Sequence, residues 1–136
     1  VAAIDKFQHW IYTNKHTAKE RKEKWLEIDK ELGNQIINWE GQESAQKIMW
    51  QRQLHLYEVP FYYIEYGMAQ LGAIAIWRSY KKHGDIAIEN YINALKLGYT
   101  KSIGEIYKTA GIKFDFSEEY VNELASFVKE ELNKLS

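Results

Sequence analysis

Apolar residues recur three and four positions apart along almost the whole chain of 136 residues. This spacing places side chains on one face of an α-helix, because the helix repeats about every 3.6 residues. One proline and eight glycines are the only strong breakers, and no segment alternates like a half-buried strand. The sequence therefore predicts an all-α fold of about seven helices, some of them short.

Polar residues mark where the first helices begin and end. The segment TAKE predicts a helix start at Thr17, because Glu20 can complete a capping box with the threonine. That helix is predicted to end at Gly33, and residues 35–41 are predicted to form a loop because they show no helical period. The segment ESAQKIMWQRQLHLY, residues 43–57, is predicted to resume as a helix.

A bend is predicted at Val59 and Pro60, the only proline of the chain. Proline fits the first turn of a helix, and it forces the preceding residue out of helical geometry. Residues 60–82 are apolar nearly all round in their middle, which is typical of a central helix packed on several sides. Gly84 is predicted to end this central buried helix.

Three further polar residues predict the starts of the later helices. Asp85 is predicted to cap the next helix, Ser102 to form a capping box with Glu105, and Ser117 to cap the last one. No repeat, low-complexity segment or flexible linker interrupts residues 1–136, so a single helical domain is predicted.

Composition excludes several functions. Eighteen basic and nineteen acidic side chains give a net charge of -1, which removes the electrostatic argument for a nucleic-acid or anionic-membrane partner. The longest apolar run is too short to span a bilayer. The absence of cysteine is compatible with a reducing cytoplasm, and it rules out disulfides and thiolate metal sites.

The residues that carry candidate chemistry lie together between positions 55 and 66. No HExxH motif, GxSxG motif or phosphate loop is present, and we expect no metal site built wholly from this chain. Tyr62 and Tyr66 are four residues apart and Tyr63 and Tyr66 are three apart, so on a helix their phenols share one edge. His55 precedes them within the segment HLYEVPFYYIEY.

Two interpretations of these tyrosines stay open on composition and spacing. In the first, they are the edge of an amphipathic core, with their rings packed inward and their hydroxyls in water. In the second, phenol O–H groups and an imidazole N–H converge to bind an oxyanion or a peptide backbone. Helical spacing allows both.

Three segments, IDKFQHWIYTN, WQRQLHLYEVPFYYIEYGMAQLGAIAIW and ALKLGYTKSIGEIYKTAGI, resemble the carboxyl-terminal part of the oligoendopeptidase F branch of the thimet-oligopeptidase-like zinc metallopeptidases. The resemblance spans nearly the whole chain, and its most specific part is a histidine followed by PFYYIEY. It implies a mainly helical, cytoplasmic endopeptidase that hydrolyses peptide bonds in oligopeptides.

The same resemblance implies that the zinc site lies elsewhere in the enzyme. In such peptidases the two histidines of HExxH and a glutamate of a following helix bind Zn²⁺, and these ligands would lie upstream of Val1. The chain begins with Val1 and is in helical register by Ile4, so we expect a fragment that depends on the upstream, amino-terminal part of the enzyme. The fragment alone is expected to bind no zinc, to be inactive and to associate with itself through apolar surface.

By resemblance, His55 is the histidine that binds substrate and stabilises the developing oxyanion. Tyr66 and Tyr63 are the first choices for the tyrosines that share this role, and Tyr62 is the next choice as a substrate-binding residue. The assignment of the tyrosines is affected by one departure: the thimet branch has a glycine-rich stretch where this sequence has EVP. Asp5, Gln8 and His9 could support the site from the first helix. The alternative function is a non-catalytic helical module that binds a peptide or protein.

Overall fold

The computed structural model describes residues 1–135, and these residues form eight α-helices and one short 3₁₀ helix, without a strand. The helices are α1 (Ala2–Thr13), α2 (Ala18–Leu32), α3 (Glu43–Gln46), the 3₁₀ helix (Met49–Arg52), α4 (His55–Glu58), α5 (Ile64–His83), α6 (Asp85–Lys96), α7 (Ile103–Thr109) and α8 (Glu118–Asn133). The prediction of an all-α, multi-helix fold is confirmed.

The chain divides into two compact units, Val1–Gly67 and Met68–Ser136. The first unit has an aromatic core: the Phe7 ring centroid lies 5.4 Å from that of Trp25 and 5.2 Å from that of Trp50. Ile4, Ile28 and Leu56 complete this core. Because Phe7 is fully buried, its ring fixes how α1, α2 and the 3₁₀ helix pack. The single domain expected over residues 1–136 stays a prediction.

The second unit has a smaller core. Tyr120 and Leu124 of α8 pack against Ala75 of α5, and the rings of Trp77 and Phe127 meet edge to face at 4.8 Å. The other buried hydrophobic residues of this unit are all alanines: Ala87, Ala94 and Ala110. Small residues let helix backbones approach closely but bury little apolar area, so much of the apolar surface of this unit stays exposed.

Both predicted capping boxes are present. The Glu20 carboxylate accepts hydrogen bonds from the Thr17 backbone N–H at 2.6 Å and the Thr17 hydroxyl at 2.8 Å. The Glu105 carboxylate accepts the equivalent bonds from Ser102. These bonds favour the ionised form and lower the pKa of each glutamate, chiefly through the Thr17 backbone for Glu20 and the Ser102 hydroxyl for Glu105.

Other helix ends agree with the sequence in part. α2 ends at Gly33 as predicted, and the Ser117 hydroxyl caps α8 by accepting a hydrogen bond from the Tyr120 N–H at 3.3 Å. The prediction that Asp85 caps α6 is wrong. Gly84 holds that position with a positive φ of 58°, so the helix starts one residue earlier and Asp85 lies in its first turn.

The predicted continuous helix over residues 43–57 is also wrong, because three short helices take its place. The Gln46 carbonyl, at the end of α3, accepts a hydrogen bond from the Trp25 indole N–H at 3.0 Å. The next residues tighten into the 3₁₀ helix, which places Trp50 in the core against Phe7. Tertiary contacts of two tryptophans thus override the local helical period.

The long apolar helix is α5, Ile64–His83, and it ends before Gly84 as predicted. Fewer residues of α5 are buried than its apolar composition predicts. Gly72 and Ala75 are buried, whereas Trp77 and Tyr80 are exposed by 39% and 44%. The contacts of the described residues therefore bury α5 fully only at Gly72 and Ala75, while Leu71 and Ile74 are partly buried against the second core. No helix within residues 1–135 has the length and apolar content needed to cross a bilayer.

Candidate active site

The candidate site begins at α4, a single helical turn that carries His55. The turn closes through a hydrogen bond from the Val59 N–H to the His55 carbonyl at 3.1 Å. Val59 then leaves helical geometry, with φ of -137° and ψ of 73°, because the ring of Pro60 disfavours the α conformation in the residue before it. The predicted bend between two helices is confirmed here.

Pro60 does not open the next helix, so that part of the prediction is wrong. It lies instead in a tight turn, closed by a hydrogen bond from the Tyr62 N–H to the Val59 carbonyl at 3.1 Å. The third residue of the turn, Phe61, has a positive φ of 62°, a conformation that turns of this kind usually assign to glycine. Among the described residues other than glycine, Phe61 alone has a positive φ.

The ring of Phe61 accounts for this backbone conformation. Its centroid lies 4.8 Å from the His9 ring and 5.4 Å from the Tyr12 ring, both on α1. The Tyr12 hydroxyl donates to the Leu56 carbonyl at 3.2 Å and so ties α4 to α1. These contacts offset the strain of a left-handed phenylalanine, about 1–2 kcal/mol, and hold the turn in one conformation.

The turn brings His55 together with all three predicted tyrosines. The His55 Nε2 lies 3.1 Å from the Tyr66 hydroxyl, within hydrogen-bond distance. The His55 ring meets the rings of Tyr63 and Tyr66 edge to face at 5.1 Å and 5.5 Å and is parallel to that of Tyr62 at 6.4 Å. We call His55, Tyr62, Tyr63 and Tyr66 the aromatic cluster.

The aromatic cluster combines a buried imidazole edge with accessible phenols. Tyr62 and Tyr66 are exposed by 51% and 47%, so both rings can be reached from solvent. The His55 Nδ1 is buried and has no hydrogen-bond partner among the described residues. Since a neutral imidazole has one N–H donor and one bare nitrogen, either Nε2 donates to Tyr66 and leaves its O–H free, or it accepts from Tyr66.

The three residues predicted to support the site from α1 differ in their surroundings. His9 contacts Phe61 and lies 3.7 Å from the Asp5 carboxylate, Nε2 to oxygen. Gln8 is only 1% exposed, and its side-chain nitrogen has no hydrogen-bond partner within the described residues. Tyr12 and Phe61 were missed by the sequence reasoning, although a bulky residue directly after proline in a turn is a signal that could have indicated Phe61.

Cavities of appreciable size lie in both units. One of about 560 Å³ in the second unit is almost wholly apolar and is lined by Gly72, Trp77 and Leu95 among others. One of about 320 Å³ in the first unit is lined by Leu56 and Tyr57, which directly follow His55 in the chain. Neither of these two cavities is lined by a member of the aromatic cluster.

The comparison with protein families decides the family of this chain. The model for peptidase family M3 matches residues 1–126, which include the whole aromatic cluster. The chain belongs to peptidase family M3. Searches of curated proteins and of solved structures gave no significant match. M3 membership supports the class of metallopeptidases, which are hydrolases of peptide bonds.

M3 peptidases are typically zinc-dependent, so we tested whether residues of this chain fit a metal ion. Within residues 1–135 no group of three or more His, Cys, Asp or Glu side chains is arranged to hold one. His55 contacts phenols rather than other ligand side chains, and His16 contacts a backbone carbonyl and Arg21. The residues of this M3 chain therefore do not fit a zinc site.

Proposed function

We propose that this chain is the carboxyl-terminal part of a zinc-dependent metalloendopeptidase of the oligoendopeptidase F type, which hydrolyses oligopeptides. The observation that carries the proposal is the His55 Nε2 to Tyr66 hydroxyl contact of 3.1 Å in an accessible cluster of an M3 chain. The zinc ligands and the general base come from a part of the enzyme outside this sequence, and they supply the metal-assisted hydrolysis. What this chain contributes is binding and orientation of the peptide.

Tyr66 is proposed as the residue that donates a hydrogen bond to the scissile carbonyl oxygen. In the arrangement we favour, the His55 Nε2–H donates to the Tyr66 oxygen and leaves the phenol O–H directed at the substrate. A phenol suits this role because it is neutral near pH 7 and its ring fixes the direction of the donor. The bond strengthens as negative charge grows on the carbonyl oxygen, so it lowers the barrier more than it improves binding.

Tyr63 and Tyr62 are proposed to act on either side of this donor. The Tyr63 ring lies 5.4 Å from the Tyr66 ring and 5.1 Å from the His55 ring, so it fixes the relative orientation of the pair and is the second candidate for an oxyanion donor. Tyr62 is the more exposed ring and packs edge to face on Tyr66 at 5.9 Å, which suits contact with the peptide chain.

The substrate class follows from the same features. An aromatic surface with two exposed tyrosines suits an extended oligopeptide, which presents backbone carbonyls and N–H groups along its length. A net charge of -1 favours neither nucleic acid nor an anionic membrane as a partner. We assign the enzyme to the cytoplasm within this proposal, because the chain has no cysteine to oxidise.

The decisive experiment replaces Tyr66 by phenylalanine in the longer enzyme that contains the zinc ligands. We expect kcat to fall by about 100- to 1,000-fold, the usual effect of losing one oxyanion donor, with little change in KM. The control is Tyr99→Phe, because Tyr99 is fully exposed. Unchanged turnover of a folded Tyr66→Phe enzyme would remove Tyr66 from the mechanism.

A non-catalytic peptide-binding module is the alternative, and the exposure of Tyr62 and Tyr66 in the chain favours it as a second candidate. It predicts saturable binding of an oligopeptide that needs no zinc. Calorimetric titration of the chain with a short peptide, with zinc and with a chelator, separates the two functions. Binding without hydrolysis in the longer enzyme as well would favour the module.

A further inference from the structure

One cavity of about 190 Å³ in the second unit is lined by three cationic side chains and one histidine. Arg78, Lys82 and His83 come from α5, whereas Lys113 comes from the segment between α7 and α8. We call these four residues the basic pocket. The Ser79 hydroxyl also lines the cavity, and no carboxylate is among the residues that do. Every charged group that lines the cavity is thus a donor.

Two of these cations are held in place by the same aromatic ring. The Arg78 guanidinium lies 5.4 Å from the centroid of the Tyr120 ring, and the Lys113 ammonium lies 5.7 Å from it. Tyr120 is a buried residue of the second core, so its ring is a fixed support for both side chains. The basic pocket is therefore partly organised before any ligand binds.

The charges of the basic pocket are only partly neutralised. Glu123 pairs with Arg78 at 3.1 Å. Lys82 and Lys113 have no ion pair among the described residues, although the Asp115 carboxylate lies near enough to Lys113 for the two charges to interact. The positions of Lys82 and His83 in the last turn of α5 are typical of basic residues, which are attracted to the carboxyl end of a helix. The position of Lys113 has no such explanation, because another segment brings it to the same cavity.

We propose that the basic pocket binds the phosphate group of a small ligand. Lys82 and Lys113 have no ion pair among the described residues, and a phosphate dianion can neutralise both charges, whereas a single carboxylate neutralises only one. Phosphate oxygens accept hydrogen bonds in several directions, which suits donors that approach from α5 and from Lys113. The cavity is compact, so the buried part of the ligand is the phosphate itself rather than a large organic group.

The test is calorimetric titration of the full chain with inorganic phosphate, phenyl phosphate and acetate at constant ionic strength. We expect both phosphates to bind and acetate to bind at least about tenfold more weakly. In the double variant Lys82→Gln with Lys113→Gln, phosphate affinity should fall at least about tenfold. The matched control is Lys101→Gln with Lys108→Gln, which removes two exposed lysines that do not line the cavity.

A second measurement separates binding from folding. Phosphate should raise the unfolding temperature of the wild type and of the control variant but not that of the Lys82 and Lys113 variant, since only a folded state with the pocket gains from the ligand. Without phosphate, the pocket variant should still unfold cooperatively, because Lys82 and Lys113 are exposed and form no ion pair among the described residues. Tighter binding of inorganic phosphate than of phenyl phosphate would identify a free ion as the ligand, and tighter binding of phenyl phosphate would identify a phosphate ester. The proposal would be overturned if acetate bound as tightly as phosphate, if the control variant lost as much phosphate affinity as the pocket variant, or if neither phosphate bound.

Discussion

Phe61 combines two requirements that normally exclude each other, a backbone suited to glycine and a large ring that is needed for packing. Its φ of 62° places the residue in the left-handed region, while its ring contacts His9 and Tyr12 of α1. The turn that results carries Tyr62 and Tyr63 toward His55. The geometry of the candidate active site therefore depends on a single strained residue outside it.

Replacing Phe61 by alanine and by glycine separates these two requirements. Both variants lose the ring, but only alanine keeps the strain of a side chain at positive φ, so we expect Phe61→Gly to be about 1 kcal/mol more stable than Phe61→Ala. Urea unfolding of both chains measures the difference. At Phe114, where φ is not positive, the order should reverse. A Phe61→Ala chain as stable as Phe61→Gly would mean that the turn is not strained.

The members of the aromatic cluster could be predicted from the sequence, but their arrangement could not. The order of His55, Pro60 and the tyrosines indicated the cluster. The sequence pattern predicts a helix that starts at Pro60. In the structure Tyr62 and Tyr63 precede α5, and the turn brings them to His55. Phenylalanine has no intrinsic preference for positive φ, so only its tertiary contacts with α1 could have indicated that turn.

At the scale of elements, α5 and α7 approach each other at Gly72. A Cβ atom added to Gly72 would lie 2.7 Å from the Tyr107 hydroxyl oxygen and 3.3 Å from the carbon that bears it. Because a phenol ring cannot bend away like an aliphatic chain, the contact requires the ring or the helix to shift.

Gly72→Ala is expected to be destabilising for this reason, despite the better helix propensity of alanine. In a Tyr107→Phe background the same change should be more favourable by about 1–2 kcal/mol, because the closest atom is gone. Unfolding free energies of the two single variants and the double variant give this coupling. Gly104→Ala, which has open space around its new methyl group, should stabilise the chain by up to about 1 kcal/mol. Additive effects at Gly72 and Tyr107 would contradict the close approach.

The two capping boxes predict a dependence of stability on pH. The folded-state pKa of Glu20 and of Glu105 is lowered from 4.5, so each ionised carboxylate stabilises the fold above that pH and loses its effect as the pH falls through the lower folded-state value. Glu20→Gln and Glu105→Gln should therefore be less stable than the wild type at about pH 7 and should approach it near pH 3. Denaturant unfolding at both pH values measures this, with the exposed Glu40→Gln as the control. If the difference in unfolding free energy between variant and wild type were the same at both pH values, the carboxylate charge would have no role in the cap.

Helix ends in this chain could be predicted more reliably than helix continuity. Thr17, Ser102 and Ser117 cap as predicted because the cap uses only atoms within a few residues. Residues 43–57 break into three pieces because Trp25 and Trp50 make contacts far apart in sequence. Local chemistry is visible in a sequence, whereas the partner of a buried tryptophan is not.

At the scale of the whole molecule, the proposed substrate-binding groups belong to a chain whose described residues do not form a zinc site. We expect it to give no hydrolysis of a fluorogenic oligopeptide even with added Zn²⁺, whereas the longer enzyme should cleave it and lose activity to a chelator. The comparison uses equal concentrations of both proteins. Zinc-dependent cleavage by the 136-residue chain itself would contradict the proposed division of the site.

The apolar cavity of the second unit has a consequence for how solutions of this chain behave. Its wall includes Trp77, Tyr80 and Leu95, all of which are exposed, so water must surround a continuous hydrocarbon surface there. The aversion of water to such a surface is mainly entropic near room temperature and grows on warming from the cold. Attraction between molecules should therefore increase with temperature. A clear, dilute, cold sample should scatter more light after it is warmed to a temperature that is still well below its unfolding temperature.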